Sequence, residues 1–276
     1  MGAGIGLVVV DLDTDGPVVR IALGLEYDGQ SFRGWQSQRE GVTVQDTLER
    51  ALSQIAAEPV RVIAAGRTDA GVHASMQVVH FDTGSQRPDS AWVRGVNACL
   101  PASLSVLWSR QVDDQFHARF SARGRRYRYV LINHPVRPAL LHGRAGWCHN
   151  PLDTALMQQA ASCLIGTHDF SAFRAAECQA KSPIKQLTQL DITVDRHLIY
   201  FDLRADAFLH HMVRNIVGCL VYVGKGRYPV GWLQQVLLGR DRSKAAPTFA
   251  PDGLYLCGVE YEAHWGLNDL LQGRGP

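Results

Sequence analysis

The run Ala65-Gly-Arg-Thr-Asp-Ala-Gly-Val-His-Ala74 sets one carboxylate, Asp69, between two glycines in a connection between apolar segments. Glycine permits tight backbone conformations and close approach by a ligand. A plain hairpin needs only about two to five loop residues. This connection is longer and carries Arg67 as well as Asp69. Its chemistry would be nucleophilic or acid–base work by the carboxylate. The bland alternative is a solvated turn in which Asp69 bonds its own backbone.

A second stretch, Phe208–Val223, is apolar nearly all round from Met212 onward, which predicts a buried helix. Arg214 and Asn215 are the exceptions. A buried guanidinium without a partner costs on the order of several kcal/mol. Arg214 therefore needs a carboxylate or a bound phosphate, unless its stem carries the charge out to solvent. The adjacent His210 and His211 are expected to point in different directions, as neighbours on a helix or strand do.

In a third stretch, Arg123, Arg125, Arg126 and Arg128 interleave with Tyr127 and Tyr129. Basic groups for phosphate and aromatic faces for bases describe a single-strand nucleic acid platform. Period-2 geometry puts Tyr127 on the face opposite Arg126 and Arg128. An amphipathic strand with its aromatics in the core and its arginines in water is the competing reading.

The elements that must position these residues follow from periodicity. Strands are predicted over 18–27, 60–65, 76–83 and 104–112, with helices over 43–57 and 90–100. The order is β-α-β-β-α-β. The second half repeats it: a strand over 118–133, a helix over 152–165, a hairpin over 187–205, helices over 210–224 and 229–238, and a strand over 254–261. Each half reads as a ferredoxin-like split β-α-β. The fold class is α+β. The two halves join into one large antiparallel sheet, with helices on one face and an RNA-binding cleft on the other. The divisions are a leader over 1–16, an N-terminal half over 17–115, a C-terminal half over 116–265 and a tail over 266–276.

The net charge is only +2, which does not demand a nucleic acid partner. The 24 Arg against 4 Lys suit phosphate and base stacking, or reflect GC-rich coding. No apolar run approaches a membrane span, and no basic segment opens a signal peptide, so the cytoplasm is the expected location. The six Cys include no CxxC pair and the His residues no HExxH spacing, so no metal is expected. The Gly66–His73 run lacks the P-loop ending, which argues against nucleotide hydrolysis. A non-catalytic RNA-binding module and a metal-dependent hydrolase using Asp69, His73 and a distant His are the other classes weighed.

Taken in order, the motifs resemble the tRNA pseudouridine synthase A family. They are Ala22-Leu-Gly-Leu-Glu-Tyr-Asp-Gly29, Gly34-Trp-Gln36, Gly66-Arg-Thr-Asp-Ala-Gly-Val-His73, Gln77-Val-Val-His-Phe81, Phe116-His-Ala-Arg-Phe-Ser-Ala122, Arg126-Tyr-Arg-Tyr129, His210-His-Met-Val-Arg-Asn-Ile-Val-Gly218 and Gly253-Leu-Tyr-Leu256. The resemblance implies isomerisation of uridine to pseudouridine at positions 38, 39 and 40 of the tRNA anticodon stem-loop, without a cofactor. It implies a homodimer with tRNA lying across both subunits. Asp69 matches the catalytic aspartate, Tyr127 the tyrosine beside the base, and Arg214 the arginine paired with the aspartate. Arg67 matches the base-flipping position and Leu254 a leucine near the uracil. Gln36 and His73 stand within its motifs and, with Arg126 and Arg128, are expected to bind substrate.

Overall fold

Alternation builds the first strand, Val19–Tyr27 (β1). Ile21, Leu23, Leu25 and Tyr27 are buried in one cluster, while Ala22 belongs to another. That is the pattern of a strand covered on both faces. The computed structural model describes residues 17–39 and 41–271. The leader expected over 1–16 and the end of the expected tail lie outside those residues.

The helix Val44–Ala56 (α1) starts as its sequence predicts. Thr43 Oγ1 accepts the Asp46 N–H at 3.1 Å and donates to Asp46 Oδ2 at 2.6 Å. Val44, Leu48 and Leu52 turn into the core. The strand expected over 60–65 shrinks to Ile63–Ala64 (β2). Just before it, Glu49 of α1 accepts the Val62 N–H at 3.0 Å, so that backbone bonds a helix side chain instead of a neighbouring strand. His73–Thr83 (β3) and Leu104–Val112 (β4) follow. Between them, the expected helix is a wide π-type turn over Ala91–Gly95 running into Val96–Cys99 (α2).

The second half opens with Gly124–Asn133 (β5), later than expected. Phe116 and Ala118 precede it and are buried in a separate cluster. Two short strands, Gly146–Cys148 (β6) and Thr167's segment Gly166–Asp169 (β7), carry too little sequence for a period to show. Between them lies Thr154–Ala161 (α3), capped by Asp153. Ile184–Asp195 (β8) and Leu198–Ala205 (β9) form the expected hairpin, turning through Arg196 at φ 55°. Met212–Gly224 (α4), Trp232–Gly239 (α5) and Leu254–Glu260 (β10) complete the chain's main elements. No helix among the described residues is long and apolar enough to cross a membrane.

The sheet order is β4-β1-β3-β10-β5-β9-β8-β7, with β2 on β3 and β6 on β5. Each half is thus a split β-α-β, in the orders β4-β1-β3-β2 and β10-β5-β9-β8. Pairings are antiparallel except β3–β10, where the halves join, and β5–β6. The joint is brief: Tyr255 pairs with His73 and Leu256 with Ala74. Farther along, β3 pairs with β2 through His80–Ile63 and Val79–Ala64. The chain connecting β2 to β3, residues 65–72, starts and ends at this change of partners.

Leu256 packs with the α1 core, Leu254 with the α3–α5 core, and Tyr127 touches both. These alternate residues share one face, so both helix groups lie on it and meet at the joint. On the opposite face, Phe116, Ala118, Tyr261 and Leu267 pack with Ala22, Met76 and Val78. His73 pins the joint. Its Nδ1 accepts the Gly29 N–H at 3.0 Å, its Nε2 lies 3.0 Å from the Gly143 carbonyl oxygen, and its ring stacks on Tyr255 at 4.6 Å. It is 2% exposed, its ring taken up by these contacts within the fold.

Burial also pushes the His73 imidazole down, and burial with the neighbouring His117 and Arg20 charges pushes His80 down from 6.5 to about 4. The unfolded chain protonates these histidines near 6.5, while the native state resists. Native stability therefore falls as pH drops from 6.5 toward about 4. The urea midpoint should fall across that window, and His80→Gln should flatten part of the fall. Equal slopes in the two proteins would contradict the assignment.

Candidate active site

The loop carrying Asp69 is tied down on both sides. Ala65 N–H donates to the Val78 carbonyl at 2.8 Å, and the buried Gln77 amide donates to Gly66 O at 2.6 Å. Thr68 O accepts the Trp35 N–H at 3.0 Å, and Thr68 Oγ1 bonds the Tyr27 hydroxyl at 2.8 Å. Gly34 makes that close approach possible. It sits at φ +84°, and a Cβ there would lie 2.9 Å from Thr68 O. The loop closes on itself where Val72 N–H donates to Asp69 O at 3.1 Å.

The partner comes from α4. Arg214 Nη1 donates to Asp69 Oδ2 at 2.8 Å, and its Nε donates to Phe249 O at 2.9 Å. The guanidinium is 13% exposed and has found the carboxylate that burial demands. Asn215, the other polar residue of this apolar helix, is fully buried. It donates to Phe173 O at 2.8 Å and accepts from Thr248 Oγ1 at 2.7 Å, next to the residue that holds Arg214.

Two further groups reach the same carboxylate. His210 Nε2 is 3.0 Å from Asp69 Oδ1, and His211 Nε2 is 3.3 Å from Oδ2. The expectation that these neighbours diverge fails at His211. It heads α4 with left-handed backbone, φ 63°, and this break in regularity lets both rings turn to one point. An adjacent pair opening an apolar helix was the available signal. Burial pushes the Asp69 carboxyl up. The His210 hydrogen bond with the His211 and Arg214 charges more than offsets this and holds it below the usual 3.8. The Asp69 bond in turn raises His210 against its partial burial, while burial lowers His211.

Asp69, His210 and His211 each offer one ligand atom, all within 4.8 Å of one another, a set able to hold a transition metal. The neighbouring charges oppose one. Arg214 already occupies Oδ2, and the amino end of α4 adds partial positive charge. The arrangement suits an ionised carboxylate better than a cation.

Tyr127 lies on the same, helix-bearing face. Its ring meets Phe208 edge-on at 4.9 Å, and its hydroxyl faces Gly66, where a Cβ would stand 3.9 Å away. Leu254 is buried on this face, paired with Tyr129 of β5. Arg67 is exposed on the Asp69 loop and donates to Gln179 of the second half at 3.2 Å. The site therefore sits between the two helix groups, not on the face opposite the helices where the cleft was expected. Both halves must lend it residues, and only this face offers α4.

The remaining expected residues are not brought to Asp69. Alternation sends Arg126 and Arg128 to the opposite face from Tyr127. There Arg128 forms a forked pair with Asp202 at 2.7 and 3.0 Å, and Arg126 lies 3.9 Å from Glu260. Gln36 is exposed and donates to Gln45 of α1 at 3.0 Å. Arg125, one of the arginines of the expected nucleic acid platform, shares the Tyr127 face. It donates to Ala65 O at 2.9 Å and Asp206 O at 3.0 Å, stapling the start of the loop to the second half.

A sequence model described as tRNA pseudouridine synthase matches residues 25–121 and 160–262. The tRNA pseudouridine synthase A of Aromatoleum aromaticum is 62% identical over 249 residues, covering 90% of this chain and 94% of that protein. That of Chromobacterium violaceum is 62% identical over 250 residues, covering 90% and 95%. Among solved structures, a chain in a Cbf5-Nop10-Gar1 complex aligns with TM-score 0.38 and 9% identity over 86% of this chain and 48% of its own length.

If Arg214 holds Asp69 ionised, Arg214→Met should raise the Asp69 pKa. Carbon-13 NMR of the labelled carboxyl reads this directly. An unchanged titration would remove Arg214 from that role.

Proposed function

The chain belongs to the tRNA pseudouridine synthase A family, which isomerises uridine to pseudouridine in tRNA, and we propose that Asp69 is its reacting carboxylate. The substrate positions proposed are uridines 38, 39 and 40 of the anticodon stem-loop, in line with the motif resemblance. The same resemblance supports a homodimer with tRNA across both subunits, and the cytoplasm is the location proposed from the sequence.

One observation carries the reading. Asp69 is desolvated yet held below its usual pKa by groups from the other half of the sheet. Simple RNA binding needs no such carboxylate. The isomerisation breaks C1′–N1 and forms C1′–C5; C5 gives up a proton and N1 gains one. No atom is added or removed overall, so neither a redox cofactor nor a phosphate donor enters. A carboxylate kept ionised meets the requirement for a nucleophile. The target base must leave its stack to reach it. Arg67, exposed on the same loop, is placed to take the vacated position or to meet the backbone.

Tyr127 presents an aromatic ring beside the loop and a hydroxyl that burial keeps protonated far above neutrality. The ring supplies a face for the flipped uracil, a contact worth about 1–3 kcal/mol. The hydroxyl is available for proton transfer after the base rotates.

The test is tritium release from unmodified tRNA labelled at uracil C5, with EDTA present and the tRNA folded in spermidine. The wild-type protein should release tritium, and Asp69→Asn should lose about 10⁴-fold or more in rate while keeping its fold and tRNA affinity. Residual turnover within about tenfold of wild type would take the nucleophile's role from Asp69.

Tyr127→Phe keeps the ring and loses the hydroxyl; Tyr127→Leu loses both. Phe should bind tRNA normally but turn over slowly, and Leu should be slower still. A fully active Phe variant would leave stacking as the only role. A silent Phe variant with a low-melting Leu variant would make Tyr127 a core residue.

A further inference from the structure

Breaking C1′–N1 leaves the bond's electron pair on the uracil, as an anion spread over its ring nitrogen and carbonyl oxygens. Asp69 compensates the ribose side and so gives up its own full charge. The groups that faced Asp69 then differ in their freedom to follow the negative charge. Arg214 is anchored a second time, by Phe249 O at 2.9 Å, and is nearly buried. His211 is fixed at the head of α4 in its left-handed conformation and is less exposed than its neighbour. His210 is different. Its Nε2 lies 3.0 Å from Asp69 Oδ1, the oxygen that Arg214 does not touch, and its side chain is 40% exposed. Its backbone is held on both sides, by Cys178 Sγ on its N–H at 3.4 Å and by the Ala175 N–H on its carbonyl at 3.0 Å. A fixed backbone with an exposed ring lets the imidazole turn without moving the loop.

We propose that His210 is a further catalytic residue of this site: as an imidazolium it pairs with Asp69 in the empty site and with the uracil anion once the glycosidic bond breaks. This rests on Asp69 being the reacting carboxylate. The imidazolium transfers no atom. It supplies preorganised positive charge where negative charge develops. C1′–N1 breaks with its electron pair on uracil as an Asp69 oxygen bonds C1′; after the base rotates, C1′–C5 forms as the C1′–Asp69 bond breaks and the carboxylate is restored, the C5 proton passes by way of the Tyr127 hydroxyl to water, and water returns one to N1.

The surroundings fit this role. Besides Asp69, the charged and titratable groups facing His210 are Glu177 and Cys178 from the segment before β8, and His211 at the head of α4, which in turn faces Arg214. The hydrogen bond to Asp69, its strongest influence, raises its pKa above the ordinary imidazole value despite partial burial, which favours the charged form.

Single-turnover tritium release, measured from about pH 5.5 to about pH 9, tests the proposal on wild type, His210→Gln and His210→Lys. The wild-type rate should fall as pH rises through the imidazole range. His210→Gln, which keeps a donor but no charge, should be about 100-fold slower at the acid end and lack that fall. His210→Lys, charged throughout, should exceed Gln at every pH and also lack the fall. A Gln variant with the wild-type rate and profile would overturn the proposal. So would a Lys variant no faster than Gln, or slow variants that retain the wild-type profile. Melting curves identify a misfolded variant; if Gln melts early, the Lys profile decides alone. The underlying reading is judged separately: it stands if wild type releases tritium and Asp69→Asn does not, whatever His210 does.

Discussion

The pair between Asp69 and Arg214 is the constraint on which the rest depends. It joins a loop of the first half to a helix of the second, at 2.8 Å and largely out of water. Either charge alone would be costly there, since desolvation of an unpaired ion exceeds what packing returns. The surrounding contacts serve this pair. Phe249 O fixes the guanidinium, Asn215 holds the segment that supplies Phe249, and Gln77 and Tyr27 fix the loop that carries the carboxylate.

The same requirement explains the form of the sheet. Two split β-α-β halves meet through a short parallel pairing at His73 and Ala74, while β2 takes the later part of the same strand. A longer joint would leave no room for the connection between β2 and β3 to carry Asp69 toward α4. His73 compensates for the brevity of the pairing. Its ring satisfies a backbone donor on one side and stacks on Tyr255 of β10 on the other. A residue that reads as chemistry in the motif is thus a fastener in the fold.

Much of this was legible in the residues. The repeated β-α-β-β-α-β order shows both halves, and an arginine in an otherwise apolar helix asks for an anion unless its stem reaches solvent. What stayed hidden depended on single dihedrals and on side-chain facing. His210 and His211 converge because one residue is left-handed, which no periodicity records. Arg126 and Arg128 carry the right chemistry for RNA, but alternation forces them away from Tyr127, and Asp202 and Glu260 stand beside them there. A bare sheet face offers itself in the sequence pattern as the place for a ligand. Both helix groups share one face, and the gap between them holds Asp69, Arg214 and Tyr127. The strands β6 and β7 are too short for a pattern to exist.

A double-mutant cycle on stability tests the central claim, that Asp69 and Arg214 are a mutually dependent buried ion pair across the joint. Asp69→Asn, Arg214→Met and the double variant are unfolded in urea beside the wild type. The account predicts that each single change costs more than the double change implies, with a coupling of about 1–3 kcal/mol. Single costs that add to within about 0.5 kcal/mol would show two independent residues and contradict it.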